Sequence, residues 1–217
     1  DCDGLTSITI PEGVTAIGYA AFSGCSCLTS ITIPEWVTAI GYYAFEDCSG
    51  LTSIISLNTT PPSCDGSYVF DYVDKSIPLY VPKESVDSYK SAKCWSEFTN
   101  IIGTDFVRIS INDAVNGMVT GAGVFPVNSP ATVTATPNAG YAFVKWSDGN
   151  TDNPRKIVMT EDVTLEAEFV AIMYTLSVVG DNGTCDGSGE YIEGTEVEVA
   201  ATPNAGYAFV KWSDGNT

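Results

Sequence analysis

The chain has 217 residues, room for one large domain or two ordinary ones, and carries 27 acidic against 9 basic side chains for a formal charge of -18. That charge repels phosphates and anionic headgroups, which argues against nucleic-acid and membrane-surface binding. The absence of His removes His-dependent nucleophilic triads and every His-containing metal site.

Polarity comes mostly from 23 Thr and 20 Ser, and residues 1–74 hold no Lys or Arg at all. The opening Asp1-Cys2-Asp3-Gly4 lacks the basic start and apolar run of a secretory signal, and no apolar run nears the ~18 residues of a membrane span. The expectation is a fragment or mature segment without membrane insertion, with any targeting signal outside it.

Residues 5–27, LTSITIPEGVTAIGYAAFSGCSC, and 28–50, LTSITIPEWVTAIGYYAFEDCSG, match at 18 of 23 positions, and LTSI begins again at Leu51. The recurring apolar positions are Leu5/Leu28/Leu51, Ile8/Ile31/Ile54, Ile10/Ile33, Val14/Val37, Ile17/Ile40, Phe22/Phe45 and Cys25/Cys48. An L-x-x-I-x-I spacing at this period is that of a leucine-rich-repeat coil, whose apolar edge is buried only by stacked neighbours. Within a coil, Ser7 and Thr9 alternate with Ile8 and Ile10 as a short strand closed by Pro11. Val14 to Ile17 is a second extended piece, and Tyr19 to Phe22 turns back. Cys2 sits 23 residues before Cys25, as the end of a preceding coil would, so the array is expected to continue upstream.

The pattern LTSITIPxxVTAIGxxAFxxCSx resembles the BspA-type leucine-rich repeats of bacterial surface proteins. The stretch from Thr60-Pro61-Pro62 through PLYVPKESVDSYKSAKCWSEFTNI (78–101) is similar to the C-terminal cap of such arrays. There, Leu79 to Val81 predicts a strand ended by Pro82, and Glu84 to Lys93 a short helix with Val86, Tyr89 and Trp95 available for one face. Phe98 to Ile102 predicts a return strand. The resemblance covers residues 1–103: coils 5–27 and 28–50, then a cap over 51–103.

Downstream, residues 135–151 and 201–217 are the same 17 residues, ATPNAGYAFVKWSDGNT. Around the first copy, period-two alternation at Val107, Ile109 and Ile111, at Val133 and Ala135, at Ile157 and Met159, and from Val163 through Leu165 and Ala167 to Phe169 predicts half-buried antiparallel strands. Asn116-Gly117, Asp148-Gly149 and Asn182-Gly183 supply turns. With Gly140, Tyr141, Phe143 and Trp146 matching a G-Y-x-F-x-x-W run, the unit resembles the divergent internalin-type B-repeats, also found as Listeria-Bacteroides repeats. Burying both Phe143 and Trp146, which differ in parity, needs a bulge. Modules are expected at 104–172 and 173–217, the second truncated, with an open strand edge. Trp146 and Trp212 are expected in the module cores. The fold class is therefore mainly β with one short cap helix: a leucine-rich-repeat solenoid followed by tandem antiparallel β modules.

Seven cysteines cannot all pair, and Cys2, Cys25 and Cys48 occupy one ladder of successive coils about 5 Å apart, so reduced, buried thiols are expected there. Cys64 with Cys94 is the pair to test first for a disulfide. Asp148, Asn150 and Asp152 have the start of a calcium-loop spacing, but Asn153 and Met159 stand where Gly and the bidentate acid belong. Asn182, Thr184, Asp186, Gly187 and Glu193 begin with Asn; polar turns account for both, and no metal or cofactor is expected. Asn58-Thr59-Thr60 and Asn182-Gly183-Thr184 match the glycosylation sequon, which carries little weight in a sequence resembling bacterial proteins. Only carboxylates remain for catalysis, with no cleft to hold a pair across a glycosidic bond, so no catalytic residue is assigned.

The two coils differ at Gly13/Trp36, Ala20/Tyr43, Ser23/Glu46, Gly24/Asp47 and Cys27/Gly50, positions off the core ladder. Trp36, Tyr42 and Tyr43 are the candidate binding residues, since Trp and Tyr dominate binding hot spots; the competing reading packs them on the next coil or the cap. The resemblance implies a monomeric, secreted or surface-anchored bacterial adhesin that binds an extracellular or host matrix protein. Surface glycan binding and a purely structural spacer are the alternatives.

Overall fold

The computed structural model describes residues 4–66, 68–112 and 114–216; Cys2, and with it the upstream end of the cysteine ladder, lies outside them. The chain forms two units. The first comprises residues 1–108 with 124–129 and 159–161, and the second residues 109–123, 130–158 and 162–217.

In the first unit the strands are β1 (Ala16–Ile17), β2 (Ser30–Ile33), β3 (Ala39–Ile40), β4 (Ser53–Ser56), β5 (Ser63–Cys64), β6 (Leu79–Pro82) and β7 (Ile101–Thr104). Two parallel sheets run through it, in the orders β1-β3-β5 and β2-β4-β6-β7. Ala16 pairs with Ala39 and Ser30 with Ser53, so the register offset equals the sequence period of 23 and equivalent residues of successive coils stand over one another. The Leu, Ile, Val and Cys ladders fall on the buried side, with Leu28, Ile31, Ile33, Val37, Ile40 and Cys48 at 3% exposure or less. Ser7 to Ile10, expected as a strand, form none.

An aromatic column runs along the stack. Phe22 lies on Phe45 (centroids 5.3 Å apart, rings 13° from parallel) and Phe45 on Phe70 (5.4 Å, 6°). Trp95 and Phe98 of the cap close it, each 5.2 Å from Phe70. Such ring pairs add about 0.5–1.5 kcal/mol each beyond their buried area.

The cap helix is shorter than the sequence suggests: a 3-10 turn at Lys83–Ser85 leads into α1 (Val86–Ser91), and a second such turn, Trp95–Glu97, precedes β7. At the third coil, Ser56 takes the place held by Ile10 and Ile33 and is fully buried. It donates to Asn58 Oδ1 (3.1 Å) and lies 2.6 Å from the Tyr89 hydroxyl. Asn58 Nδ2 donates back to the Glu35 and Val37 carbonyls of the preceding coil (2.9 and 2.8 Å), and Trp95 Nε1 donates to the Pro62 carbonyl (2.8 Å). Burial pushes the Tyr89 phenol up to about 12. Cys64 and Cys94 form a disulfide with Cα atoms 6.4 Å apart, while Cys25 and Cys48 are buried thiols.

The second part of the chain holds β8 (Phe106–Ile111), β9 (Gly117–Thr120), β10 (Gly123–Pro126), β11 (Pro130–Pro137), β12 (Tyr141–Trp146), β13 (Arg155–Val158), β14 (Val163–Leu165), β15 (Ala167–Ala171), β16 (Met173–Leu176), β17 (Gly183–Asp186), β18 (Gly189–Ile192) and β19 (Ala200–Pro203). β11 is the antiparallel centre of a sheet with β9 and β13, and β12 pairs antiparallel with β15. The register shifts between Phe143 and Lys145, the bulge that lets Trp146 bury fully despite its parity. One expectation fails: Val163 to Phe169 is two strands, broken at Glu166, and β14 runs parallel to β8. Residue-level alternation encodes which face is buried but not the direction of the neighbour.

The repeated 17-residue segment keeps its local geometry in both copies. Trp146 N–H bonds the Asn150 carbonyl and Trp212 N–H the Asn216 carbonyl, both at 2.8 Å, and the Phe-Trp ring distances are 5.3 and 5.1 Å. Their surroundings differ. Residues 207–212 form no strand, whereas residues 141–146 pair with β15. Trp212 is only half-buried, where a module-core position was expected.

Candidate recognition surface

Each coil turns back after its second short strand. In the second coil this corner is one continuous turn over residues 42–47, entered through Gly41. A Cβ on Gly41 would come within 2.7 Å of the Gly18 backbone, so the coils touch here and project the next side chains outward.

Those side chains are tyrosines. The Tyr42 and Tyr43 rings meet edge to face at 4.2 Å, Tyr19 of the preceding coil meets Tyr43 at 6.1 Å, and Tyr68 of the following coil stacks on Tyr43 at 5.7 Å and 29°. Tyr42 closes the group against Tyr68 at 5.5 Å and lies over Gly66, where a Cβ would strike its ring at 2.2 Å. Tyr19 is 73% exposed and Tyr68 45% exposed, while Tyr42 and Tyr43 between them are half-buried, so the group is a partly covered aromatic surface. The Tyr42 phenol is pushed up to about 12, first by its hydrogen bond with the Tyr43 side chain.

Backbone geometry adds a second observation. Tyr43 has φ 61° and Tyr72 φ 59°, left-handed values that favour glycine or asparagine. A bulky residue there costs on the order of 1 kcal/mol; Ala20 and Asp47, the counterparts of Tyr43 and Tyr72 one coil earlier, share the conformation (φ 50° and 52°), so it belongs to the turn of the coil.

The structure brings Tyr42 and Tyr43 together and leaves Trp36 apart, in the turn before β3. Trp36 is half-buried and packs against the coil core, and its Nε1 donates to the Pro11 carbonyl at 3.1 Å. Its indole thus covers the edge between coils, a correction to its placement off the core ladder. Tyr19, Tyr68 and Tyr72 were missed. Tyr68 escapes self-comparison because Phe70 follows Phe45 by 25 residues, two more than the period.

The polar rim of the corner is acidic. Ser23 donates to Glu46 Oε2 (3.3 Å), and the Asp47 N–H bonds the Asp71 carbonyl (2.9 Å), which places Asp47 and Asp71 on adjoining rungs. Lys75 pairs with Glu97, Lys83 with Asp105, Lys145 with Glu168 and Arg155 with Asp148, so these four cations are matched to acids outside this corner.

Elsewhere the chemistry is structural. Asp148 accepts from Arg155 and from the Asn150 N–H, and that guanidinium holds its carboxyl below the usual range. Asn153 bonds both the N–H and the carbonyl of Ala135, and Asn58 of the first sequon is buried by its own hydrogen bonds. Among the described residues, no group of three or more Cys, Asp or Glu is placed to hold a metal ion, and no helix is long and apolar enough to cross a membrane. An opening of about 760 Å³ lies in the second module between residues 176–185 and 207–212.

Two families match. The BspA type leucine-rich repeat region matches residues 1–111 in six copies, and the divergent InlB B-repeat domain matches residues 107–173 and 174–217. Both are repeat or binding-type domains. No curated protein matches the chain. The chain therefore belongs to the BspA-type leucine-rich-repeat family over its first half and to the divergent B-repeat family over its second.

Proposed function

We propose that residues 1–103 are the end of a solenoid that recognises an extracellular protein through its tyrosine corner, in a secreted or surface-anchored bacterial protein with no catalytic role. The modules at 104–172 and 173–217 then act as a stalk that projects the solenoid. One observation carries this reading: Tyr19, Tyr42, Tyr43 and Tyr68 lie ring to ring, Tyr19 and Tyr68 exposed and Tyr42 and Tyr43 half-buried between them, so the group offers aromatic surface to solvent. Tyr is among the residues that dominate protein-binding hot spots.

The test is to probe arrays of host matrix proteins and glycans with the whole chain and with its Tyr43→Asn/Tyr68→Ser form. Binding to a matrix protein that the double substitution removes is the expected result. Response to sugars alone makes the protein a glycan binder, and response to neither makes it a spacer.

A further inference from the structure

We infer that the tyrosine corner binds a cationic segment of its partner, an arginine- or lysine-bearing stretch of protein chain whose charged groups sit on the tyrosine faces and meet the acidic rim. This rests on the proposed recognition role and names the chemistry of the partner.

Three observations converge. Aromatic faces carry negative quadrupole potential and attract ammonium and guanidinium groups. Here Tyr43 and Tyr68 offer a stacked pair, while Tyr42 stands 80° and 71° to them, so the group presents faces in more than one direction. Extended chain bearing several cationic side chains can use such an arrangement. A sugar ring prefers one flat platform, which perpendicular rings do not provide.

The second observation is charge. Residues 1–74 contain nine acids and no Lys or Arg, so the first two coils carry no cation to compete for the site; the first cation, Lys75, is held at the third coil's turn by the Phe70 and Val73 carbonyls. Asp47 and Asp71 lie on adjoining rungs, one on the same turn as Tyr43 and one on the next, so the aromatic group and the acids belong to one corner of the stack. The third is Tyr72, which is 74% exposed and lies beside Asp71 in the chain. It continues the pairing of exposed ring and carboxylate into the next coil, and such a repeat suits an extended ligand better than a single ion.

The experiment is calorimetric titration of the whole chain with three probes at physiological salt: an arginine-glycine peptide, the same peptide with every arginine replaced by citrulline, and a neutral hexasaccharide. Citrulline keeps the shape and removes the charge. The arginine peptide should bind saturably, the citrulline peptide at least tenfold more weakly. Tyr43→Asn/Tyr68→Ser should weaken the arginine peptide at least tenfold while the chain stays folded at the assay temperature by circular dichroism; Asn relieves the left-handed φ at residue 43 and offsets part of the lost ring contacts.

Equal binding of the citrulline peptide overturns the inference. So does arginine-peptide binding that survives loss of the tyrosines, because that is attraction to the net charge alone. Saturable binding only of the sugar, or no binding at millimolar concentration, also overturns it. If the array then still gives a tyrosine-dependent matrix-protein signal, the recognition role stands and only the cationic chemistry falls; if it does not, both fall.

Discussion

Replacing Asn58 with Ala tests how the third coil and the cap are locked together. Asn58 is 5% exposed and makes three hydrogen bonds through its side chain: two donated to the Glu35 and Val37 carbonyls, one accepted from Ser56. A hydrogen bond of this kind is worth about 1 kcal/mol net, so the loss is about 3 kcal/mol, and more where a partner is left buried without water. For a unit of this size each kcal/mol moves the midpoint by roughly 4 °C or more, which predicts a fall of about 12 °C in the transition of the first unit. Differential scanning calorimetry of the whole chain gives the shift, with the transition of the second unit as an internal reference. Asn58→Asp keeps the acceptor but turns an oxygen toward the two carbonyls, so it should be at least as damaging. A shift below about 3 °C for Asn58→Ala would refute the account of this network.

Further outcomes follow from the same geometry. Replacing Cys64 and Cys94 with Ser opens a loop of sequence separation 30 and should cost about 3–4 kcal/mol in urea unfolding; an unchanged midpoint contradicts the staple. Trp146→Ala should destabilise by about 3–5 kcal/mol, since the ring is fully buried, whereas the identical change at half-buried Trp212 should cost less than half as much. Equal losses would mean that the two modules are closed alike. Burial pushes the Cys48 thiol up to about 12, so at pH 8 it should resist iodoacetamide while exposed Cys27 is labelled, read by peptide mass spectrometry. Modification of both at one rate would contradict a sealed ladder.

Much of this was legible in the sequence because the repeats stack in register. The period of 23 gave the coil offset seen in the pairing of Ala16 with Ala39 and Ser30 with Ser53, and the Phe and Cys ladders fell inside. Parity alone called for the bulge at Phe143 and Lys145. The parallel pairing of β14 with β8 was not legible, since the direction of a neighbouring strand leaves no mark on alternation. Nor was the buried Ser56, Asn58 and Tyr89 group, where a polar residue replaces Ile on the core ladder and its partners come from 33 and 2 residues away. At the surface, Tyr42 and Tyr43 were readable as differences or neighbours of differences between coils. Tyr68 was hidden by the two extra residues before Phe70, and Trp36 looked exposed because its acceptor, the Pro11 carbonyl, carries no sequence signal.

The central claim is that an exposed tyrosine corner is the part of this protein that recognises another. Surface plasmon resonance of the whole chain over an immobilised matrix protein that scores in the array, beside the Tyr43→Asn/Tyr68→Ser form, tests it most directly. At least tenfold weaker binding is expected from a double variant that circular dichroism shows to be folded at the assay temperature; a double variant that binds as tightly as the native chain would contradict the recognition role.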